Sequence, residues 1–254
     1  MTNTAPAPHI GTAGWAIPRA AAERFPGEGS HLQRYARVLN CAEINSAFNR
    51  SHRTEVYARW AEQTPPEFRF SVKLPRAITH EGRLFDTGPS LQRFMAQISG
   101  LGARLAVLLV QLPPSLALEP RSVESFFCLL ADLFSGAVVC EPRHASWFTP
   151  QADSCLVKHH IGRVAADPSR WPAAASPGGW LGPAGDGAGA VIYFRWHGAP
   201  RTYWSRYDDA WLQTHASDMR HWPASADCWG IFDNTASGAA TVNAMAFAPL
   251  MQRR

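Results

Sequence analysis

The chain has 254 residues, 46% hydrophobic and 17% charged, with 24 Lys and Arg against 20 Asp and Glu and a net charge of +4 when histidines are neutral. Ordinary apolar content and a charge share below the usual value of about 25% exclude a mainly disordered chain. No apolar run approaches the roughly 18 residues of a membrane span, and no block of five basic residues marks a nucleic-acid arm. The five cysteines (Cys41, Cys128, Cys140, Cys155 and Cys228) are spread out and never form CxxC, so neither a disulfide framework nor a zinc knuckle is expected. The opening MTNTAPAPHI lacks a basic start followed by an apolar stretch. Residues 1–8 read as a flexible tail, and the expected compartment is the reducing cytoplasm.

Short runs suited to buried strands follow in order at His9–Ala13, Cys41–Asn45, Phe68–Lys73, Leu105–Gln111, Ala137–Glu141, Gly162–Asp167, Ala190–His197 and Asp227–Asp233. Their starts lie 25 to 37 residues apart, room for a helix and two loops, which is what a crossover between parallel strands needs. Helical text fills most gaps. Ser30 can cap HLQRYARVL, Arg53–Gln63 ends before the Pro65-Pro66 stop, Ser122–Phe134 spaces its apolar residues helically, and Ala236–Leu250 is rich in Ala and Met. The expected fold is α/β: a single (β/α)8 TIM barrel with eight parallel strands, spanning 9–250. The rival, an open doubly wound sheet, lacks the GxGxxG that would make it a dinucleotide-binding domain. The stretch 168–189, dense in Pro, Gly and Ala, reads as a long loop.

In such a barrel the chemistry gathers where strands run out. Those positions hold Glu43, Asn45, Lys73, Gln111, Glu141, Asp167, Arg195, His197, Asp233 and Asn234, with Trp15, Arg50, His80, Arg143, His144 and Trp147 just beyond. Side chains alternate between the faces of a strand, which groups Glu43 with Asn45, Ser71 with Lys73, and Tyr193 with Arg195 and His197 on one face. Three strands thus aim charged or amide groups at the barrel axis. Buried charges cost several kcal/mol each unless paired. The alternative is that the same groups form an ion-pair plug with no ligand.

The motifs GTAGW (Gly11–Trp15), EINSAFNR (Glu43–Arg50), ARWAEQTPPEFRFSVKLPRAITH (Ala58–His80), QLPPS (Gln111–Ser115), EPRHASW (Glu141–Trp147), YFRWHG (Tyr193–Gly198) and FDNTASGAATVNA (Phe232–Ala244) resemble the domain-of-unknown-function 72, or YecE-like, family. They run in order through nearly the whole chain. The resemblance implies a TIM barrel and no established reaction. One departure is Asn49, where the family reads an aromatic residue.

These groups point to an enzyme doing acid–base chemistry, as a hydrolase, lyase or isomerase, on a small polar and anionic compound. Glu43 and Glu141 would exchange protons with His144 or His197 assisting. Lys73, Arg143 and Arg195 would hold negative charge, with Asp233 beside them, while Asn45, Gln111 and Asn234 orient the substrate and Trp15 and Trp147 line the pocket. Lys73 has a second reading as a Schiff-base amine. No cofactor is expected. A divalent metal on Glu43, Glu141, Asp167, Asp233 and a histidine is the minor option, without an HExxH motif to support it. The alternative function is a non-catalytic nucleotide or nucleic-acid binding module using the same mouth. No membrane partner is expected, and the pattern leaves the oligomeric state open.

Overall fold

A computed structural model describes residues 7–183, 189–223 and 225–252. Residues 1–6 of the expected tail and 184–188 of the expected loop lie outside the described residues. Seventeen elements matter for the site. They are β1 (His9–Ala13), α1 (His31–Tyr35), β2 (Cys41–Ile44), α2 (Thr54–Glu62), β3 (Arg69–Lys73), α3 (Gly88–Ile98), β4 (Leu105–Gln111), α4 (Pro120–Leu133), β5 (Ala137–Glu141) and α5 (Pro150–Lys158), then β6 (Gly162–Arg163), β7 (Ala165–Asp167), β8 (Gly178–Gly179), β9 (Val191–Trp196), α6 (Asp209–Arg220), β10 (Asp227–Phe232) and α7 (Ala239–Gln252). Among the described residues no helix is long and apolar enough to cross a membrane.

The expected eight-stranded parallel TIM barrel is corrected to a mixed, nearly closed, barrel-like sheet of ten strands in the order β7-β9-β10-β1-β2-β3-β4-β5-β6-β8. Two local features cause this. The predicted run Gly162–Asp167 is two strands broken at Val164: β6 pairs with β5 and β7 pairs with β9. Beyond β7 the prolines Pro168, Pro172, Pro177 and Pro183 deny an α-helix its N–H donors. The described part of that stretch forms a short 3-10 turn, Pro172–Ala175, and β8, which runs antiparallel to β6. Among the described residues, one of the eight expected crossovers therefore holds no α-helix, and an antiparallel strand stands in that stretch.

Local chemistry builds the remaining elements. The Ser30 hydroxyl accepts from the Gln33 N–H (3.3 Å) and the Gln33 amide oxygen accepts from the Ser30 N–H (2.8 Å), a reciprocal cap that starts α1. The Glu119 carboxylate accepts from the backbone N–H groups of Arg121 and Ser122 and starts α4. The side chains then divide by strand parity. Ala42, Phe70, Val72, Leu108, Val110, Cys140 and Trp196 pack outward under the helices. Trp196 meets Phe232 at 4.6 Å and Phe247 at 4.8 Å between ring centroids. Inward-facing Cys41, Val107, Leu109, Val139, Val164, Tyr193, Trp229 and Ile231 form a separate apolar floor inside the ring.

The residue two places after each floor position lies one step nearer the carboxyl end. Cys41 is followed by Glu43, Leu109 by Gln111, Val139 by Glu141, Tyr193 by Arg195 and Ile231 by Asp233. A register shift between Phe70 and Ser71 in the β3–β4 pairing brings Lys73 opposite Leu109, an irregularity of the kind that re-aims side chains beside sites. The polar layer thus rests on an apolar one.

At the seam, Gly162 lets β6 approach β9: a Cβ there would stand 2.9 Å from the Val191 carbonyl oxygen. Gly162→Ala is expected to cost about 1–3 kcal/mol by overpacking. The thermal midpoint should fall by about 2–4 °C for each kcal/mol, and an unchanged midpoint would show that the ring does not close tightly there.

Candidate functional site

Arg195, the penultimate residue-pair position of β9, is fully buried at the centre of the mouth. Its Nε donates to Glu43 Oε2 (2.9 Å), and its Nη2 donates to Glu43 Oε1 (2.7 Å) and Asp233 Oδ2 (3.0 Å). Its Nη1 donates to Glu141 Oε2 (2.5 Å). The carboxylates come from the ends of β2, β5 and β10, and the planar fork of guanidinium donors is what can serve several at once. Tyr193 donates to Glu43 Oε2 (3.0 Å), with Ser71 Oγ 2.6 Å from the same phenol.

His197 closes the network from above. Its Nδ1 lies 3.0 Å from Asp233 Oδ2 and its Nε2 3.2 Å from Glu141 Oε1. Burial would strip the proton from this imidazole, yet the two carboxylates overcome it and raise its pKa. Burial likewise favours a neutral Glu141, but Arg143, Arg195 and His197 hold its carboxyl well below the usual range. Arg143 grips Glu141 Oε1 through Nε (3.0 Å) and Nη2 (2.8 Å), and its Nη1 donates to the Tyr203 hydroxyl (3.0 Å).

Lys73 is different. It is only 7% exposed, and its Nζ sits 3.8 Å from the centroid of the Phe48 ring with no hydrogen-bond partner among the described residues. Burial, joined by Arg195, pushes its amine down to about 8, against the opposing pull of Glu43, Glu141 and Asp233. His80, edge-on to the same Phe48 ring at 4.9 Å, is driven down to about 4, first by burial and then by Lys73, Arg143 and Arg76. Lys73, Arg143 and Arg195 match the three carboxylates Glu43, Glu141 and Asp233 in number, and protonation of His197, which Glu141 and Asp233 favour, adds a fourth cation.

A cavity of about 310 Å³ opens beside it, lined among others by Glu141, Arg143, Arg170, Trp171, His197 and Tyr203. Tyr203 holds a left-handed backbone (φ 64°) that aromatic residues rarely adopt, and its ring stands edge-on to His197. Strain of this kind persists where surrounding contacts impose it.

Of the residues expected at the site, the fold brings Glu43, Lys73, Glu141, Arg143, Arg195, His197 and Asp233 together. Others are engaged elsewhere. Trp147 is fully buried and donates its indole N–H to the Leu116 carbonyl (3.0 Å), so it is scaffold and lines no pocket. Trp15 packs edge-on against Trp60 and Phe70. Asn234, also fully buried, donates to the Ser205 carbonyl (2.8 Å) and Asn243 Oδ1 (3.0 Å), tying the loop after β9 to α7. His144 Nδ1 accepts from the Ser146 N–H (3.2 Å) and caps the turn before Trp147. Gln111 donates to the neighbouring Leu112 carbonyl (2.7 Å). Asn45 falls just past β2 and begins the turn Ser46–Phe48, which delivers Phe48 to Lys73. Asp167 accepts from the Tyr207 hydroxyl (2.6 Å). Among the described residues no three His, Cys, Asp or Glu side chains are arranged to hold a metal; the carboxylates converge on Arg195. Residue order alone missed Phe48 and Tyr203, which act from loops. Tyr193 and Ser71 were on the inward face by parity, and their polar tips are the signal that assigns them to the site.

Both oxygens of Glu43 are occupied and the residue is wholly enclosed, so it positions Arg195. Glu43→Ala leaves that guanidinium short of a partner and is expected to cost about 3–5 kcal/mol in urea unfolding. Lys73→Met should act in the opposite direction. The folded-state pKa of Lys73 is below its unfolded value, so its buried charge is a full cost below pH 8 and that cost fades between pH 8 and about 10.4. Lys73→Met should therefore exceed the wild type in stability at pH 7 by up to about 3 kcal/mol, with the gap closing as pH rises through that window. A gap independent of pH would contradict a strained amine.

The family model described as "Protein of unknown function DUF72" matches residues 9–254. The UPF0759 protein YecE of Escherichia coli K12 is 33% identical over 120 residues, 46% of this chain and 43% of that protein; the match thus spans less than half the length of this curated relative. Among solved structures, a DUF72 family protein of Thermotoga maritima is similar at 22% identity and a TM-score of 0.76, over 97% of this chain and 100% of that one. Another from Enterococcus faecalis V583 has 19% identity and a TM-score of 0.76, over 97% and 96%. These structural likenesses concern the fold. With the family model covering nearly its whole length, the chain belongs to the DUF72 family.

Proposed function

We propose that this protein is an enzyme that moves protons on a small, polar, anionic compound at the carboxyl-end mouth of the sheet. The observation that carries this reading is the charge layer in which Glu43, Glu141 and Asp233 are each held by Arg195, Arg143 or His197, while the Lys73 amine is left without a hydrogen-bond partner among the described residues. An ion-pair plug would be expected to pair each of its charges. An unpaired amine, with Arg143 and His197 on the wall of the neighbouring cavity, favours a carboxylate or phosphate as ligand.

The roles follow from which groups are already hydrogen-bonded and which can change their protonation. Glu43 and Glu141 hold Arg195 and Arg143 in place. Lys73 and His197 are the proton carriers: the first has an amine that titrates near neutrality, the second an imidazole steadied by two carboxylates. Arg143 and Arg170, both on the cavity wall, receive the anion. Hydrolysis, lysis and isomerisation all use such a set. The cavity volume suits a metabolite-sized molecule.

A thermal-shift screen of small carboxylates, phosphorylated compounds and divalent ions tests this, because a ligand of the folded state raises the midpoint by mass action. At least one anion should stabilise the wild type, and Arg143→Ala should lose that shift. The reading is overturned if no compound shifts the wild type, or if the variant responds equally. Binding of a single-stranded oligonucleotide that weakens steeply with salt, without any small-anion shift, would move the site to a nucleic-acid partner.

A further inference from the structure

Of the 24 basic residues in this chain, 22 are Arg and only two, Lys73 and Lys158, are Lys. Lys158 lies exposed at the end of α5 beside Glu124. Of the two, Lys73 is the one enclosed by the fold, at the end of β3 in the midst of the charged layer. The buried carboxylates around it are gripped mainly by Arg, whose planar fork does so better: Arg195 serves Glu43, Glu141 and Asp233, and Arg143 grips Glu141 a second time. Lys73 makes no such bond among the described residues. What a lysine offers that arginine cannot is a nitrogen able to lose its proton and attack carbon.

We propose that the Lys73 amine is a nucleophile that forms a Schiff base with a small carbonyl compound bearing a carboxylate or phosphate. This rests on the ligand reading above and names its substrate class. Three features of the surroundings support it. Burial and the neighbouring guanidinium lower the amine to about 8. At pH 8 about half of it is then neutral, against about 0.4% of an ordinary lysine. The Phe48 ring at 3.8 Å packs on the side chain, and no carboxylate among the described residues holds the nitrogen in a hydrogen bond. Glu141 interacts electrostatically with Lys73, is gripped by Arg143 and lines the cavity with it, so the amine and the guanidinium share that carboxylate as a common neighbour.

The step balances without a further reagent. The neutral Nζ lone pair forms the C–N bond and the carbonyl π electrons move to oxygen. Water carries a proton from nitrogen to that oxygen, giving the carbinolamine. The nitrogen lone pair then forms C=N as the hydroxyl takes a second proton from a solvent acid and leaves as water, giving the protonated imine. The protonated imine draws electrons from an adjacent C–H or C–C bond, which is isomerisation or lysis.

The full chain, incubated at pH 8 with glyoxylate, pyruvate or glycolaldehyde phosphate plus sodium cyanoborohydride, tests the proposal, with propanal as the uncharged comparison. Hydride adds to the imine carbon, so each adduct gains the mass of the carbonyl compound less one oxygen atom. Peptide mapping of the wild type should find Lys73 modified roughly tenfold or more faster than Lys158, given the difference in neutral fraction, and faster with an anionic carbonyl than with propanal. Lys73→Arg should abolish that adduct and Lys158→Arg should keep it. Equal labelling of the two lysines, or none at Lys73, overturns the proposal. If trapping fails while small anions still stabilise the fold, Lys73 is not the nucleophile and the ligand reading stands; if both fail, both fall. The site assignment comes from the wild-type map and does not depend on any variant folding.

Discussion

A single guanidinium, that of Arg195, is the point on which the sheet and its mouth both depend. Its donors reach carboxylates on β2 and β5 and another just past β10, the first of them 152 residues away in sequence. None of these contacts exists until strands far apart in the chain have curled round to face one another. A buried charge without its partners is heavily penalised, so the network accepts one arrangement of strands and rejects slipped ones. Closing the sheet and assembling the candidate site are the same event.

The rule that made this site legible is the two-residue period of a strand. It set Glu43, Lys73, Arg195 and His197 on one face while the residues between them, such as Trp196, took the packing face. Strand positions were legible for the same reason, within a residue or two at most ends. Period says nothing about closure, however. The break at Val164 comes from how β6 and β7 pair with different neighbours, and β8 comes from two glycines that carry no apolar signal at all. The missing crossover helix was visible as proline and glycine, but the eightfold count hid its meaning.

Side-chain roles failed to read where a distant partner decided them. Trp147 looks like a pocket aromatic until the Leu116 carbonyl claims its N–H, and Asn234 looks like a ligand amide until Ser205 and Asn243 take up its NH2 group. Tyr203 and Phe48 reach the site from irregular segments, where neither spacing nor alternation applies. Lys73 stood out by position, while its lack of a hydrogen-bond partner needed three dimensions. A buried amine held at a disadvantage and a tyrosine held left-handed are costs of the sort that accumulate where a protein trades stability for activity.

The apolar floor has an electrical consequence as well as a packing one. Beneath the charges lie Cys41, Val107, Leu109, Val139, Val164, Trp229 and Ile231, an apolar layer of low permittivity. Field lines from the charged layer are therefore poorly damped downward and leave chiefly through the open end, as in clefts whose weakly polarisable walls focus potential. On the proposed reading, that end is where an approaching anion would feel the layer most, along an axis that the net charge of +4 does not describe.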